Sequence, residues 1–194
     1  LAARGVRFDR AYCNYPVCNP SRTSIMSGRR PDTTGVIDNV TPTRAVLGDT
    51  AFLPEHFKSQ GYTTAKFGKI YHTGKEFEDE RSWTSDLRED QRAKNPPAEK
   101  IVRERGPIRI VRGNDDEFWD GYLAKEAVRW LDTNFSAGKP FFLAVGFANP
   151  HVPWISPKKY WDLYDPAKFT LATNEFVPKG APAFAATSGN DFRG

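Results

Sequence analysis

Cys18 lies near the start of a short basic stretch, "YPVCNPSRTSIMSGRRPDTTG" (residues 15–35). The residues after it predict a helix over residues 20–27 that ends at Gly28. If Cys18 or Asn19 caps this helix, free N–H groups of the first turn lie beside the thiol, and the helix dipole favours an anion there. Arg22, one turn further on, can reach the same point. The pattern favours a nucleophile, or its precursor, facing an anionic group. The alternative is a small residue at a tight helix start.

Further candidates for chemistry lie in two later loops. Lys69 and His72 occur in "GKIYH", at the predicted end of a strand, and can turn toward one pocket. His151 lies in "NPHVPW". A lysine stabilises the negative charge that develops during group transfer, and a histidine transfers protons near neutral pH. Loop histidines are also commonly inert, and a single lysine is commonly only solvated. We interpret His56 as a surface or packing residue and Cys13 as structural.

The segment "CNPSR", followed by "TSIMSGRRP", closely resembles the C-x-P-S-R…G-R motif of the sulfatases, within the alkaline-phosphatase-like superfamily. The motif residues fall on Cys18, Pro20, Ser21, Arg22 and Gly28. The segments "LAARGVRFDRAYC", "LPEHFKSQGYTTAKFGKIYHTG" and "PFFLAVGFANPHVPW" also resemble sulfatase segments in the same order. The last two are most similar to the iduronate-2-sulfatase-like branch.

The resemblance implies a role for each candidate. Cys18 is oxidised to formylglycine, whose hydrate attacks sulfur with one oxygen and expels sulfate through the other, a form of covalent catalysis. A formylglycine-generating or an anaerobic sulfatase-maturating enzyme makes this change, and Pro20 and Arg22 present the site to it. Arg22 also steadies the hydrate, Lys69 clamps the sulfate, and His72 is a partner of the hydrate. His151 contacts the sulfate or protonates the leaving oxygen.

The resemblance also implies a Ca²⁺ or Mg²⁺ ion held by oxygen ligands. In the family an Asp pair precedes the motif, and an Asp with Asn or His follows well after it. The sequence begins after the first pair and stops before the second, so Cys18, as formylglycine, is the one metal ligand we assign. We therefore expect residues 1–194 to be a partial sulfatase catalytic domain, without the N-terminal metal-ligand strand and the C-terminal part. Such a chain alone is expected to hydrolyse sulfate esters inefficiently.

The elements that must position these residues alternate between strands and helices. We predict strands at residues 6–12, 62–72 and 141–148, and an edge strand in "IRIVRG". Helices are predicted in "DTAFLPEHFKSQG", "DDEFWDGYLAKEAVRWLDTNFSAG" and "SPKKYWDLY". Thr50 is the predicted N-cap of the first of these helices, and Ser156 that of the last. Residues 75–114 otherwise lack a clean period and are predicted to be a solvated, irregular insertion. The order predicts an α/β fold with a mostly parallel sheet flanked by helices. Ligands of such sheets bind at the carboxyl ends of the strands.

Composition excludes several other classes. The chain has 194 residues and a net charge of +4, and 39% of its residues are hydrophobic, as in ordinary globular proteins. No apolar run is long enough to span a membrane, and no basic face indicates nucleic-acid binding. Two cysteines five residues apart indicate neither a disulfide framework nor a zinc site.

The leading hypothesis is hydrolysis of sulfate esters, on a sulfated sugar or uronate. The alternatives are a hydrolase of the same superfamily that acts on phosphonate or phosphate monoesters or on aryl or choline sulfate, and a catalytically silent anion-binding module. The resemblance further implies export to the periplasm, the cell exterior or the lysosome.

Overall fold

A parallel β-sheet frames the first of two units in this computed structural model, which describes residues 2–87, 107–135, 138–174 and 176–182. The first unit consists of Leu1–Glu89 with Ala127–Gly146, and the second of Asp90–Glu126 with Phe147–Gly194. No helix of the described residues is long and apolar enough to cross a membrane.

The sheet of the first unit has three strands in the order β2 (Ser85–Leu87), β1 (Thr63–Gly68) and β4 (Phe141–Gly146). Both pairings are parallel, as predicted for an α/β fold. The central strand β1 is almost entirely buried, whereas β4 is only half-buried. Because β1 and β4 end side by side at Gly68 and Gly146, the residues that follow them lie at the carboxyl edge of the sheet.

The helices of the first unit are α1 (Cys18–Ser27), α2 (Pro31–Thr34), α3 (Thr43–Leu47) and α4 (Leu53–Ser59). The helix predicted at residues 20–27 is confirmed, and Gly28 ends it with a left-handed φ of 68°. The helix predicted in "DTAFLPEHFKSQG" is also confirmed, but its cap is not. Phe52, and not Thr50, precedes α4, and its N–H donates to Glu55 at 3.4 Å.

The strand predicted at residues 6–12 is wrong. Val6, Phe8 and Tyr12 alternate as in a strand, yet their side chains are 80%, 78% and 85% exposed. Within the described ranges this segment pairs with no strand. An alternating pattern indicates a strand only where one of its faces is covered, and here neither face is.

The hydrophobic core of the first unit draws on a segment that was predicted to be solvated. Residues 75–85 contain two 3₁₀ helices, Lys75–Phe77 and Glu80–Ser82, and they bury Phe77 and Trp83 in the core. The prediction of a solvated excursion is therefore wrong for this part. Residues 88–106 lie outside the described residues.

The second unit contains a parallel pair of strands, β3 (Ile108–Val111) and β5 (Trp154–Pro157). This confirms the predicted strand in "IRIVRG". The long helix α5 (Trp119–Phe135) is confirmed as well, and the boundary between the units passes through it after Glu126. Helix α6 (Lys158–Trp161) is short. Its N-cap is Pro157, the last residue of β5, so the predicted cap at Ser156 is wrong.

A buried ion pair holds the segments of the first unit together. Arg44 contacts the carboxylate of Asp79 at 2.7 Å and that of Glu55 at 3.0 Å, and it stacks over the ring of Phe52 at 3.8 Å. Tyr71 donates to the same Asp79 at 3.4 Å. Burial, together with the charge of Asp79, raises the pKa of Tyr71 above its ordinary value, so its hydroxyl stays a donor.

Replacing Arg44 tests this anchor. The side chain of Asp79 is only 2% exposed, so Arg44→Ala leaves a buried charge without its main partner. We expect the free energy of unfolding to fall by about 3–5 kcal/mol. Arg7→Ala is the control, because Arg7 and Asp9 form an exposed pair worth about 0–1 kcal/mol. Urea denaturation measures both, and equal losses would contradict the assigned role.

Candidate active site

Cys18 is the first residue of α1. The residue before it, Val17, has an extended backbone and is the N-cap, without a side-chain hydrogen bond. The prediction that Cys18 or Asn19 caps the helix is therefore wrong, because the helix begins two residues earlier than the pattern indicated. The side chain of Cys18 thus leaves from the first turn itself and is half-buried.

The backbone N–H groups of that first turn are mostly occupied. The N–H of Asn19 donates to Asn39 Oδ1 at 3.0 Å, and that of Ser21 donates to the Val17 carbonyl at 3.1 Å. Pro20 has no N–H. The prediction that free N–H groups of the first turn lie beside Cys18 is therefore wrong. The positive end of the helix dipole remains at this point, and the side chains must supply the rest of any anion binding.

Asn19 is a functional neighbour that sequence reasoning missed. Its side chain is buried, and its Nδ2 donates to the carbonyls of Asp38 at 2.9 Å and Thr41 at 2.8 Å. Side-chain and backbone hydrogen bonds from Thr41, with the N–H of Val40, hold the pKa of Asp38 below its ordinary value. Asn19 therefore fixes the start of α1 to a folded turn. It occupies the variable position of the motif, so the motif gave no signal for this role.

Arg22 ties α1 to the end of β1. Its Nη1 donates to the carbonyl oxygens of Lys69 at 2.6 Å and Ile70 at 3.0 Å. Two carbonyls from consecutive residues fix both the position of the guanidinium and the course of the loop after β1. Arg22 thus places a positive charge beside Cys18 and holds the backbone from which Lys69 projects.

Lys69 follows the last residue of β1 and packs tightly against β4. Its N–H donates to the carbonyl of Gly146 at 2.9 Å. A Cβ at Gly146 would lie 2.0 Å from the carbonyl oxygen of Lys69, so only glycine permits this approach.

A cavity of about 490 Å³ collects most of the predicted residues of the first unit. Cys18, Ser21, Arg22 and Lys69 line it, together with apolar side chains of α1 and β4. Cys13 also lines it, and both cysteines are free. A nucleophile at residue 18 would therefore face two cations across one cavity, an arrangement suited to attack on a small anionic group.

His72 lies three residues beyond Lys69 but does not line this cavity. Its half-buried ring packs edge-on against Phe77, with 4.8 Å between the ring centroids. The structure thus brings Lys69, and not His72, to the cavity. Two other residues that the sequence pointed to are Pro20, which is buried within α1, and His56, which is exposed on α4 as expected.

His151 belongs to the second unit, where it is exposed in the loop between β4 and β5. Its Nδ1 lies 2.7 Å from the carbonyl oxygen of Val152. A carbonyl oxygen only accepts hydrogen bonds, so Nδ1 carries the proton and Nε2 is the nitrogen that can exchange one. The geometry therefore gives the ring a defined tautomer.

The residues that the structure describes do not form a divalent-cation site. They include no group of three or more His, Cys, Asp and Glu side chains that could hold a metal ion. Asp115 and Asp116 are engaged elsewhere: hydrogen bonds from Lys159 and Tyr160 lower the pKa of Asp115, and one from Lys125 lowers that of Asp116.

Comparisons with known proteins agree with the motif. A family model described as Sulfatase matches residues 1–179. Iduronate 2-sulfatase of Homo sapiens is 32% identical over 205 residues, which cover 100% of this chain and 37% of that protein. Choline-sulfatase of Rhizobium meliloti is 29% identical over 189 residues, covering 85% of this chain and 35% of that protein. The chain thus spans little more than a third of the length of these relatives.

A solved structure shares the fold. The phosphonate monoester hydrolase of Agrobacterium radiobacter superposes with a TM-score of 0.63 at 18% identity, over 82% of this chain and 37% of that chain. An alkaline-phosphatase-like α/β architecture with parallel strands, as expected from the sequence, is thereby supported at the level of the backbone.

Gly146→Ala tests the close approach that positions Lys69. The added Cβ would meet the carbonyl oxygen of Lys69 at 2.0 Å, and this backbone atom cannot swing aside as a side chain would. We expect a loss of about 1–3 kcal/mol in the free energy of unfolding and faster hydrogen exchange at the Lys69 amide. Val145→Ala, on the same strand, removes atoms instead of adding them and serves as the control. An alanine at Gly146 that is tolerated better than Val145→Ala would refute the constraint.

Proposed function

The chain belongs to the sulfatase family, and from this premise we propose that it carries the nucleophile and the anion-binding side chains of a sulfuric ester hydrolase. The observation that carries the proposal is the cavity in which Cys18 at the start of α1 faces Arg22 and Lys69. Because the chain covers 37% of the first relative's length, sulfate-ester hydrolysis is proposed for the full-length protein. The chain alone is proposed to be a partial catalytic domain of low activity.

Residue 18 fits the modification that the family implies. Its side chain is half-buried and lines the cavity beside two cations. As formylglycine it would supply an aldehyde hydrate, which is both a nucleophile for sulfur and a route for releasing sulfate. A formylglycine-generating or anaerobic sulfatase-maturating enzyme is the proposed partner.

The two cations have different proposed duties. Arg22 is fixed through its bonds to the Lys69 and Ile70 carbonyls, so its charge is preorganised beside residue 18. Lys69 shows no side-chain hydrogen bond or ion pair within the described part of the chain, and it lines the same cavity. Its ammonium group is therefore available to clamp the sulfate. Both charges lie where negative charge develops, so they lower the barrier without first having to reorganise.

The two histidines are proposed to handle protons. His151 holds its Nδ1 proton against the Val152 carbonyl, which leaves Nε2 to protonate the leaving oxygen when the ring is charged. His72 stays proposed as the partner of the hydrate on the family resemblance alone, since its ring packs against Phe77 and does not line the cavity.

A Ca²⁺ or Mg²⁺ ion is part of the family's chemistry, but the described residues do not fit it beyond the side chain at position 18. The mechanism proposed for this chain's residues therefore includes no metal-dependent step. We propose that the remaining ligands come from other parts of the full-length protein. The proposed exported location, in the periplasm, the cell exterior or the lysosome, rests on the family alone.

The proposed substrate is a sulfated sugar or uronate. The support is the identity to a protein named iduronate 2-sulfatase, which extends over 100% of this chain, against 85% for choline-sulfatase. The phosphonate monoester hydrolase shares the fold at 18% identity, which does not favour phosphonate as the substrate. Aryl sulfates, choline sulfate, phosphate monoesters and a silent anion-binding module are outcomes that the following experiment separates.

The central prediction concerns residue 18. In the full-length protein, co-expressed with a maturating enzyme, mass spectrometry should find the aldehyde in place of the thiol. A panel of sulfated uronates, choline sulfate, aryl sulfates, phosphate monoesters and phosphonates should show turnover of the sulfated sugar. Cys18→Ala should abolish turnover with little change in the unfolding midpoint, because the side chain is small and only half-buried. Cys13→Ala, at the cavity's other cysteine, should retain activity. An unmodified thiol without turnover would instead favour the silent module.

Lys69→Met tests the proposed clamp. Methionine keeps the length of the side chain but removes the charge, so kcat/KM for the sulfated substrate should fall about 10²-fold or more. Lys75→Met removes an exposed charge six residues later in the chain and should have little effect. Steady-state kinetics decides between them, and equal kinetics for the two variants would remove Lys69 from the mechanism.

A further inference from the structure

The loop that carries His151 has few backbone donors of its own. It follows β4 as "ANPHVP", and its two prolines contribute no N–H group. Before the first proline, the N–H groups of Ala148 and Asn149 are the donors that can fix its base. Both donate to the same side chain, that of Asp120 in the second unit.

Asp120 accepts these two bonds with one oxygen each. Oδ1 lies 2.7 Å from the Ala148 nitrogen, and Oδ2 lies 2.9 Å from the Asn149 nitrogen. Asp120 is the second residue of α5, where the helix dipole stabilises a carboxylate. Its charge strengthens both hydrogen bonds, so they bind the base of the loop firmly to the helix. We call these two hydrogen bonds the Asp120 clamp.

The surroundings of Asp120 leave it little freedom. A Cβ on Gly121 would lie 1.9 Å from the carbonyl oxygen of Asp115, so the 3₁₀ helix Asp115–Glu117 packs directly on the start of α5. The space that Asp120 shares with Ala148 and Asn149 amounts to only about 20 Å³. A cavity of this size has room for about one water molecule.

The clamp reaches His151 through hydrogen bonds inside the loop. The His151 N–H donates to the carbonyl of Ala148 at 3.0 Å, and Ala148 is one of the two residues whose N–H groups bind Asp120. The indole N–H of Trp154 donates to the carbonyl of Pro150. The ring nitrogen Nδ1 donates to the carbonyl of Val152 at 2.7 Å. These three hydrogen bonds link the histidine and its neighbours to the segment whose two amides Asp120 holds.

We propose that Asp120 is a positioning residue, which holds the loop so that Nε2 of His151 delivers its proton to the leaving oxygen of the ester. The inference rests on the proposed function, because it concerns the general acid of that reaction. Asp120 itself touches neither substrate nor reacting atoms. Its effect should therefore appear only where protonation of the leaving group limits the rate.

Asp120→Asn in the full-length, matured protein is the test. The amide keeps the shape and accepts one N–H, but it presents its own NH₂ to the other, so one bond is lost and two donors oppose each other. Asp116→Asn is the matched control: it removes an acid four residues earlier that pairs with Lys125 and has no bond to the loop. Asp120→Glu keeps the negative charge and should retain part of the activity that Asp120→Asn loses.

Two substrates separate positioning from general damage. A sulfated sugar has a poor leaving group that needs a proton, whereas para-nitrophenyl sulfate does not need one. Asp120→Asn should lower kcat for the sulfated sugar by about 10²-fold, within the usual range of general acid catalysis, and leave kcat for the aryl sulfate nearly unchanged. In a His151→Ala background the same change should cost almost nothing further, because it acts through that histidine.

Equal losses on both esters, or additive losses with His151→Ala, would overturn the inference. If no sulfate ester is turned over, the proposed function has failed, and kinetics cannot test the role of Asp120. A second measurement then tests directly whether Asp120 holds the loop. Hydrogen exchange at the Ala148 and Asn149 amides should quicken at least tenfold in Asp120→Asn and stay unchanged in Asp116→Asn. Unchanged exchange in both variants would show that Asp120 does not hold the loop.

Discussion

The hydrogen bonds from Arg22 to the carbonyls of Lys69 and Ile70 are the interaction on which the candidate site depends. They join the helix that begins with Cys18 to the loop that follows the central strand. They therefore link the position of the proposed nucleophile to the backbone that carries Lys69. An arginine suits this role because its planar, permanently charged group can serve two acceptors and still present charge to a cavity.

A layer of paired charges supports this junction from within the first unit. Lys66 lies on the buried central strand and is paired with Glu78, and Arg44 with Asp79 forms a second ion pair below Tyr71. These charges are compensated, as burial requires. The cavity beside Cys18 is different: among the residues that the structure describes, Arg22 and Lys69 line it and no acidic side chain does. In these two ion pairs the opposite charges neutralise each other, whereas the two cations at the cavity are placed to bind an anionic group.

Short-range patterns predicted much of the fold. The helix at Cys18, strands β1 and β4, and the long helix α5 follow from periodicity and from glycine and proline at their ends. The patterns failed where burial depended on distant partners. Residues 6–12 alternate like a strand but have no covering layer, and residues 75–85 resemble a solvated loop but fill the core with Phe77 and Trp83. A short stretch of sequence does not show which of its faces other parts of the chain will cover.

The sequence by itself determined the chemical groups of the site and the family to which they belong. Cys18 and Arg22 are one helical turn apart, so a local motif fixes their relation, and Lys69 and His151 stand in recognisable loops. Only the tertiary structure decided how these groups are held. Arg22 bonds to carbonyls 47 and 48 residues away, and Asp120 to amides 28 and 29 residues away. Almost every residue has the same backbone N–H and C=O groups, so a sequence pattern cannot predict which of them a distant side chain will bind.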